Sequence, residues 1–183
     1  MNLKKNIPNI ITVFRFFGTF VILFLAPLMP SYLLIYTATG MTDLLDGFIA
    51  RKTNTTSPLG ERLDSIADLC FYTVSLIKLL PVLVSVLPQY IWILVAVILL
   101  LRIVSYIIAA IKFHRFASHH TLLNKITGIF VFAIPYFLLT KFGMIFCLLV
   151  CFIGILSTVE DLYIHIFSTE YNENIKFAFK IRR

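Results

Sequence analysis

The chain has 183 residues, of which 60% are hydrophobic and 14% are charged, and its formal net charge is +7. A water-soluble domain of this length could not bury so large a share of apolar side chains. The composition therefore excludes a soluble globular protein. It predicts an all-α integral membrane protein, because several segments reach the ~20 apolar residues that a helix needs to cross a membrane.

Short polar or proline-marked stretches separate the apolar segments, and the pattern predicts six transmembrane helices in a single membrane domain, residues 1–183. Residues 81–88 are predicted to form a loop, and residues 165–183 a basic cytoplasmic tail. The predicted spans cover residues 14–28, 31–51, 59–80, 89–111, 123–139 and 142–164.

Two features concern the membrane surface. Residues 1–13 are predicted to form an interfacial helix segment, because polar Asn9, Thr12 and Arg15 recur at helical spacing. Arg15 taken alone fits an ordinary basic flank equally well. Lysine and arginine collect before the first span, after the second, after the fourth and after the sixth. By the positive-inside rule, both termini are predicted to be cytoplasmic.

Four aspartates stand in the second and third predicted spans. Asp43 and Asp46 are three residues apart, and Asp64 and Asp68 are four apart, so each pair shares one face of its helix. Packing of the two helices would bring four carboxylates together, where they repel one another and lose hydration. They can stay ionised there only around a cation. The sequence therefore predicts a site for Mg²⁺ or Mn²⁺, hard ions that prefer oxygen ligands.

The aspartates belong to a longer pattern that resembles the signature of the CDP-alcohol phosphotransferases at every fixed position. Eight identities at fixed spacing within 26 residues are far more specific than a lone glycine-rich loop. The pattern consists of Asp43, Asp46, Gly47, Ala50, Arg51, Gly60, Asp64 and Asp68, with intervening gaps of two, none, two, none, eight, three and three residues.

The resemblance implies a membrane enzyme that transfers the phosphatidyl group of CDP-diacylglycerol to a small polar alcohol and releases CMP. It assigns two ions, Mg²⁺ or Mn²⁺, to the four aspartates, and it makes Asp68 the general base as well. It also implies a homodimer. The multi-pass protein is expected in the cytoplasmic membrane with its active site facing the cytoplasm, because the positive-inside rule places the loop between Asp43 and Asp68 on that side. No nucleic acid is expected among its partners.

The same resemblance assigns the binding of CDP-diacylglycerol. Asp43 and Asp64 would contact this substrate as well as the metal ions. Gly47 and Gly60 would leave room for the cytidine and ribose, since any side chain would fill that space. Arg51 would bind the pyrophosphate through its guanidinium group.

The acceptor alcohol is predicted from three further cations. Arg102 interrupts the fourth span, Arg115 lies in the loop after it, and Lys125 opens the fifth span. An anionic acceptor such as glycerol 3-phosphate would need such charges to bind its phosphate. The surroundings of Arg102 and Lys125 also look similar to those in phosphatidylglycerophosphate synthases.

Two alternatives remain open at this stage. The stretch with Glu61, Asp64 and Ser65 looks similar to phosphatidylserine synthases, which favours L-serine as a second candidate acceptor. The ammonium group of serine would need a carboxylate among the cations, and Glu61 is the unassigned acid nearest in sequence. A non-enzymatic cation-binding membrane protein, such as a transporter, is less favoured because the chain shows no repeated halves.

Overall fold

The computed structural model describes the backbone of residues 3–53, 58–113 and 121–168, and the side chains of residues 11–42, 60, 62–113 and 121–168. All regular secondary structure in these residues is helical, which confirms the all-α prediction. The helices are α1 (Leu3–Phe24), α2 (Pro30–Thr53), α3 (Pro58–Val86), α4 (Gln89–Phe113), α5 (Leu122–Phe137) and α6 (Gly143–Phe167).

The first helix joins two segments that were predicted separately. α1 runs from Leu3 to Phe24 without a break, so the predicted interfacial segment continues directly into the first predicted span. The proline-marked turn after it is confirmed, and α2 begins at Pro30. Proline suits the first turn of a helix, because the N–H that it lacks would have no partner there. Leu28 in the turn has a φ of 66°, in the left-handed region that leucine rarely adopts.

The predicted loop at residues 81–88 is wrong for most of its length, because α3 continues through Pro81 to Val86. Pro81 removes one backbone hydrogen bond and crowds the carbonyl one turn earlier. Long apolar helices nevertheless tolerate proline, since neighbouring groups and small adjustments satisfy the freed carbonyl. The chain turns instead between Val86 and Gln89, where α4 begins.

The chain divides into two compact units, and the N-terminal unit is Met1–Ser85. Within it, α1 packs closely on α2 because Gly18 has no side chain, and a Cβ there would collide with the hydroxyl of Thr39. α3 joins them through aromatic contact, with the ring centroids of Tyr36 and Phe71 5.3 Å apart. These contacts connect the three helices that carry the candidate site.

The C-terminal unit, Val86–Arg183, contains α4, α5 and α6. α5 begins after Thr121, whose side-chain oxygen accepts a hydrogen bond from the backbone N–H of Asn124 at 3.2 Å. Such an N-cap satisfies one of the free N–H groups of the first helical turn. The turn into α6 requires Gly143, where a Cβ would lie 2.5 Å from the carbonyl oxygen of Phe137.

Three helical segments are long and apolar enough to cross a membrane, among the residues that the structure describes. They are Arg62–Val86, Gln89–Phe113 and Gly143–Phe167. Ile11–Phe24 and Leu122–Phe137 are apolar but shorter. Many large apolar side chains along these helices are exposed, as suits helices that face lipid. These findings agree with the predicted class of membrane-embedded helical protein.

Candidate active site

Arg15 is fully buried inside the N-terminal unit, where it contacts two of the predicted site aspartates. Its Nη1 donates a hydrogen bond to Asp64 Oδ1 at 2.7 Å and another to Asp68 Oδ1. Its Nε donates to Thr42 Oγ1 at 3.3 Å. One guanidinium group therefore connects α1, α2 and α3. It also makes two carboxylates of the signature converge on one point.

The environment of the two carboxylates differs from that of the arginine. Asp64 and Asp68 share one face of α3, because they stand four residues apart on a continuous helix. Their side chains are 38% and 30% exposed, whereas that of Arg15 is 0% exposed. A buried guanidinium needs anionic partners, since an unpaired charge out of water is costly. The aspartates thus neutralise Arg15 and still remain accessible to a ligand.

The donor atoms of this pair suit a hard divalent ion. Carboxylate oxygens are the ligands that Mg²⁺ and Mn²⁺ prefer, and Asp64 and Asp68 each direct one oxygen at the same cationic atom. The other predicted ligands, Asp43 and Asp46, stand on α2, but their side chains lie outside the described residues. Among the described side chains, no group of three or more metal-ligating residues converges. The described pair fits the ion class, and the full two-ion site stays a prediction.

The residues predicted to bind the nucleotide fall mostly in the same undescribed stretch. Gly47 and Arg51 lie on α2, in the part whose side chains are outside the described residues. Gly60 is described and lies in the first turn of α3, one turn before Asp64. It is partly buried. The nucleotide-binding roles of these residues stay predictions.

A second polar cluster connects the helices of the C-terminal unit. Arg102 Nη2 on α4 donates a hydrogen bond to Asn124 Oδ1 on α5 at 2.9 Å. Asn124 Nδ2 donates to Asp161 Oδ2 on α6 at 2.7 Å. Ser157 Oγ, also on α6, donates to Asn124 Oδ1 at 2.5 Å. Arg102 Nη2 lies 3.9 Å from Asp161 Oδ2, so its charge is balanced within the protein.

The predicted acceptor-binding residues differ in their surroundings. The side chain of Arg102 is 29% exposed and contacts the polar cluster just described. Lys125 follows Asn124 on α5 and is exposed. Arg115 lies outside the described residues. Lys125 is therefore the sequence neighbour of Asn124, the residue that accepts a hydrogen bond from Arg102.

Three members of the cluster were not predicted from the sequence, namely Asn124, Ser157 and Asp161. A signal for Asp161 did exist, because an ionisable residue in an apolar helix indicates function by default. The signal for Asn124 was weaker, since asparagine is common near the start of helices. The sequence predicts Arg15 at the membrane surface or on a basic flank, whereas in the structure it is buried against Asp64 and Asp68.

Helices long and apolar enough to cross a membrane, with an accessible carboxylate pair on one of them, define a membrane-embedded helical protein with an acidic site. Residues 5–156 match the family model for CDP-alcohol phosphatidyltransferase. The chain therefore belongs to the CDP-alcohol phosphatidyltransferase family.

Three relatives share the name CDP-diacylglycerol–glycerol-3-phosphate 3-phosphatidyltransferase. The chain is 38% identical to the protein of Pseudomonas fluorescens over 79 residues, which are 40% of either chain. It is 42% identical to that of Haemophilus influenzae over 71 residues, 36% of this chain and 38% of the relative. It is 34% identical to that of Escherichia coli K12 over 80 residues, 41% of this chain and 44% of the relative. The chain thus matches about two fifths of the length of these relatives. No solved structure matches the chain at a significant level.

Proposed function

We propose that the chain transfers the phosphatidyl group of CDP-diacylglycerol to glycerol 3-phosphate and releases CMP. The observation that carries this proposal is the convergence of Asp64 and Asp68, two aspartates of the family signature, on a single point of positive charge. Membership of a transferase family supports it, and so do the names of the three relatives. The same membership argues against a non-enzymatic cation-binding protein.

The reaction is a displacement at the phosphorus atom that bears the lipid. The acceptor hydroxyl loses its proton to Asp68, and its oxygen forms the new bond to phosphorus. The bond from that phosphorus to the bridging oxygen of the pyrophosphate breaks, and CMP leaves with the bonding electrons. A carboxylate suits the role of base, and Asp68 is held in place by Arg15 while it remains partly exposed.

Binding of CDP-diacylglycerol is assigned to the signature residues. Arg51 grips the pyrophosphate, and Gly47 and Gly60 leave room for the cytidine and ribose. Asp43 and Asp64 contact this substrate as well as the divalent ions.

Asp43, Asp46, Asp64 and Asp68 would together hold two ions, Mg²⁺ or Mn²⁺. The chemistry that such ions supply is the neutralisation of charge on the attacking and leaving oxygens. The described pair, Asp64 and Asp68, supports this assignment because both supply carboxylate oxygens and both direct one oxygen toward Nη1 of Arg15.

Binding of the acceptor is assigned to Arg102, Lys125 and Arg115. Arg102 is partly exposed, and among its described contacts it donates hydrogen bonds only through Nη2. The remaining donors of its guanidinium group can bind a phosphate, which matches the fork geometry of arginine. Lys125 and Arg115 add positive charge for the same dianion.

L-serine is the second candidate acceptor, and one observation favours it. Asp161 Oδ2 lies 3.9 Å from Arg102 Nη2, so a carboxylate lies beside one of the cations that an ammonium group would meet. The names of the relatives favour glycerol 3-phosphate. The two acceptors therefore have to be compared directly.

We extend the proposal to the setting of the enzyme. The described helices that could cross a membrane support a larger set of six spans. The distribution of lysine and arginine supports cytoplasmic termini and an active site that faces the cytoplasm. The enzyme would form a homodimer in the cytoplasmic membrane, as a single domain.

The test is a reconstituted assay of the purified protein with CDP-diacylglycerol and a panel of labelled acceptors. We expect CMP release in the presence of glycerol 3-phosphate, with the label recovered in lipid. Inositol and a buffer-only sample serve as controls. CMP release that depends on serine and not on glycerol 3-phosphate would show that L-serine is the acceptor. No release with any acceptor would overturn both candidates.

A further inference from the structure

The polar cluster of the C-terminal unit forms a directed chain of hydrogen bonds. Asp161 can only accept as a carboxylate, so the Nδ2 group of Asn124 must point toward it. The Oδ1 atom of Asn124 then faces the other way and accepts from Arg102 and Ser157. Asp161 therefore determines which end of the Asn124 amide meets Arg102. Hydrogen bonds thus connect Asp161 on α6, Asn124 on α5 and Arg102 on α4, and each bond limits the orientation of the next side chain.

The burial of Asp161 makes an ordinary packing role costly. Asp161 is 3% exposed and lies on an apolar helix that is long enough to cross a membrane. Its Oδ1 atom is buried and has no hydrogen-bond partner among the described residues. A buried, incompletely satisfied carboxylate is unfavourable, and residues of this kind usually serve a site. Asp161 also lies beyond residues 5–156, so the family match does not account for it.

We propose that Asp161 and Asn124 are positioning residues: they hold Arg102 in the orientation that binds the acceptor. The inference rests on the proposed function. Asn124 fixes Nη2 of Arg102, and Asp161 fixes Asn124 while it balances the guanidinium charge. The other donors of the guanidinium thereby remain available for a phosphate-bearing alcohol. Neither residue needs to contact the acceptor itself.

The first test separates acceptor binding from the other steps. Asp161→Asn keeps the shape of the side chain but removes the fixed direction of the hydrogen bonds and the negative charge. We expect the KM for glycerol 3-phosphate to rise about tenfold, as for the loss of one hydrogen bond to a charged group. The KM for CDP-diacylglycerol should stay within about twofold. A purely structural role would instead change both constants, or kcat, together.

Two further variants keep the test decisive. Glu160→Gln removes the same charge one position earlier on α6, and it should leave the KM for glycerol 3-phosphate within about twofold. Ser157→Ala removes one described donor to Asn124 Oδ1 with little change in volume. It should raise the same KM by about threefold, and it provides the answer if Asp161→Asn does not fold. An equal rise for Glu160→Gln and Asp161→Asn would overturn the inference.

A double-mutant cycle shows whether Asp161 acts through Arg102. In the Arg102→Ala background, Asp161→Asn should add no further rise in the KM for glycerol 3-phosphate, because nothing remains to be positioned. Effects that simply multiply would show that Asp161 acts independently, and would overturn the inference. The same readout is available without turnover, as the Kd of glycerol 3-phosphate from calorimetry of the detergent-solubilised protein.

The failure of this inference is distinguishable from the failure of the proposed function. If Arg102→Ala raises the KM for glycerol 3-phosphate and Asp161→Asn does not, the inference alone is wrong. If Arg102→Ala leaves that KM unchanged, the proposed acceptor site is wrong and the inference falls with it. If Asp161→Asn abolishes a reaction with L-serine instead, Asp161 binds an ammonium group and the positioning role is overturned.

Discussion

Replacement of Arg15 by alanine should destabilise the N-terminal unit and change how it responds to divalent ions. The side chain is fully buried and donates hydrogen bonds to Asp64, Asp68 and Thr42. Removal of one partner of a fully buried ion pair costs about 3–5 kcal/mol. The two aspartates are 38% and 30% exposed, so water screens the charges that are left behind. We therefore expect a loss of about 2–3 kcal/mol in the free energy of unfolding.

This loss can be measured as a shift in Tm of the purified protein in detergent. For a chain of this size, the expected decrease is about 4–12 °C. Arg62→Ala is the matched control, because Arg62 is an exposed arginine on the same helix as the aspartates. It should change the free energy of unfolding by no more than about 0.5 kcal/mol. Arg15→Lys keeps the positive charge but loses the several N–H donors of the planar guanidinium group. Its Tm should lie between those of Arg15→Ala and Arg62→Ala.

Divalent ions provide the second half of this prediction. In Arg15→Ala the carboxylates lack their internal cation, so Mn²⁺ should raise its Tm more than it raises that of the unaltered protein. The measurement is a Mn²⁺ titration of Tm, with Arg62→Ala alongside. A Tm for Arg15→Ala equal to that of Arg62→Ala would show that the buried ion pairs of Arg15 do not stabilise the N-terminal unit. A smaller response of Arg15→Ala to Mn²⁺ would show that loss of the internal cation does not favour binding of the ion.

Three other predictions concern activity. Asp68→Asn should leave the protein folded but reduce CMP release by about 10²-fold or more, the usual contribution of a general base, and retention of a tenth of the activity would contradict that role. Activity should require Mg²⁺ or Mn²⁺ and be lost in the presence of a chelator. Ca²⁺ should inhibit the enzyme, because its bonds to oxygen are longer and its coordination is looser. Full activity in chelator would exclude the four-carboxylate metal site. Arg102→Ala should cost about 2–5 kcal/mol in binding of glycerol 3-phosphate, seen as a KM raised at least tens-fold with the KM for CDP-diacylglycerol little changed. Lys125→Ala should raise the same KM less, by up to about fivefold, because the side chain of Lys125 is exposed and water screens its charge. Unaltered kinetics in both variants would remove these residues from the acceptor site.

The helical class and most helix boundaries follow from the sequence because apolar runs and prolines are local signals. The turn before Pro30 and the start of α4 at Gln89 are examples. Pro81 shows where the local rule fails, since a proline inside a long apolar helix does not have to end it. The exact end at Val86 depends on packing that no local pattern records.

The sequence predicts the local features of the candidate site but not its long-range contacts. The spacing of Asp64 and Asp68 places both on one helix face, and the structure shows them together. Their pairing with Arg15 spans 49 and 53 residues of sequence and depends on how α1 packs on α3. The contact of Arg102 with Asp161 depends likewise on α4 and α6. Long-range partners of this kind cannot be read from periodicity, although the charges themselves can.

The transfer reaction and its acceptor can be measured in one experiment. The purified protein is given CDP-diacylglycerol with glycerol 3-phosphate labelled in its glycerol carbons, and CMP and labelled lipid are counted together, with Asp68→Asn in parallel. The proposed function predicts one labelled phosphatidylglycerophosphate for each CMP, with both products reduced about 10²-fold or more in the variant. CMP release without label in the lipid, or label incorporated from serine and not from glycerol 3-phosphate, would contradict it.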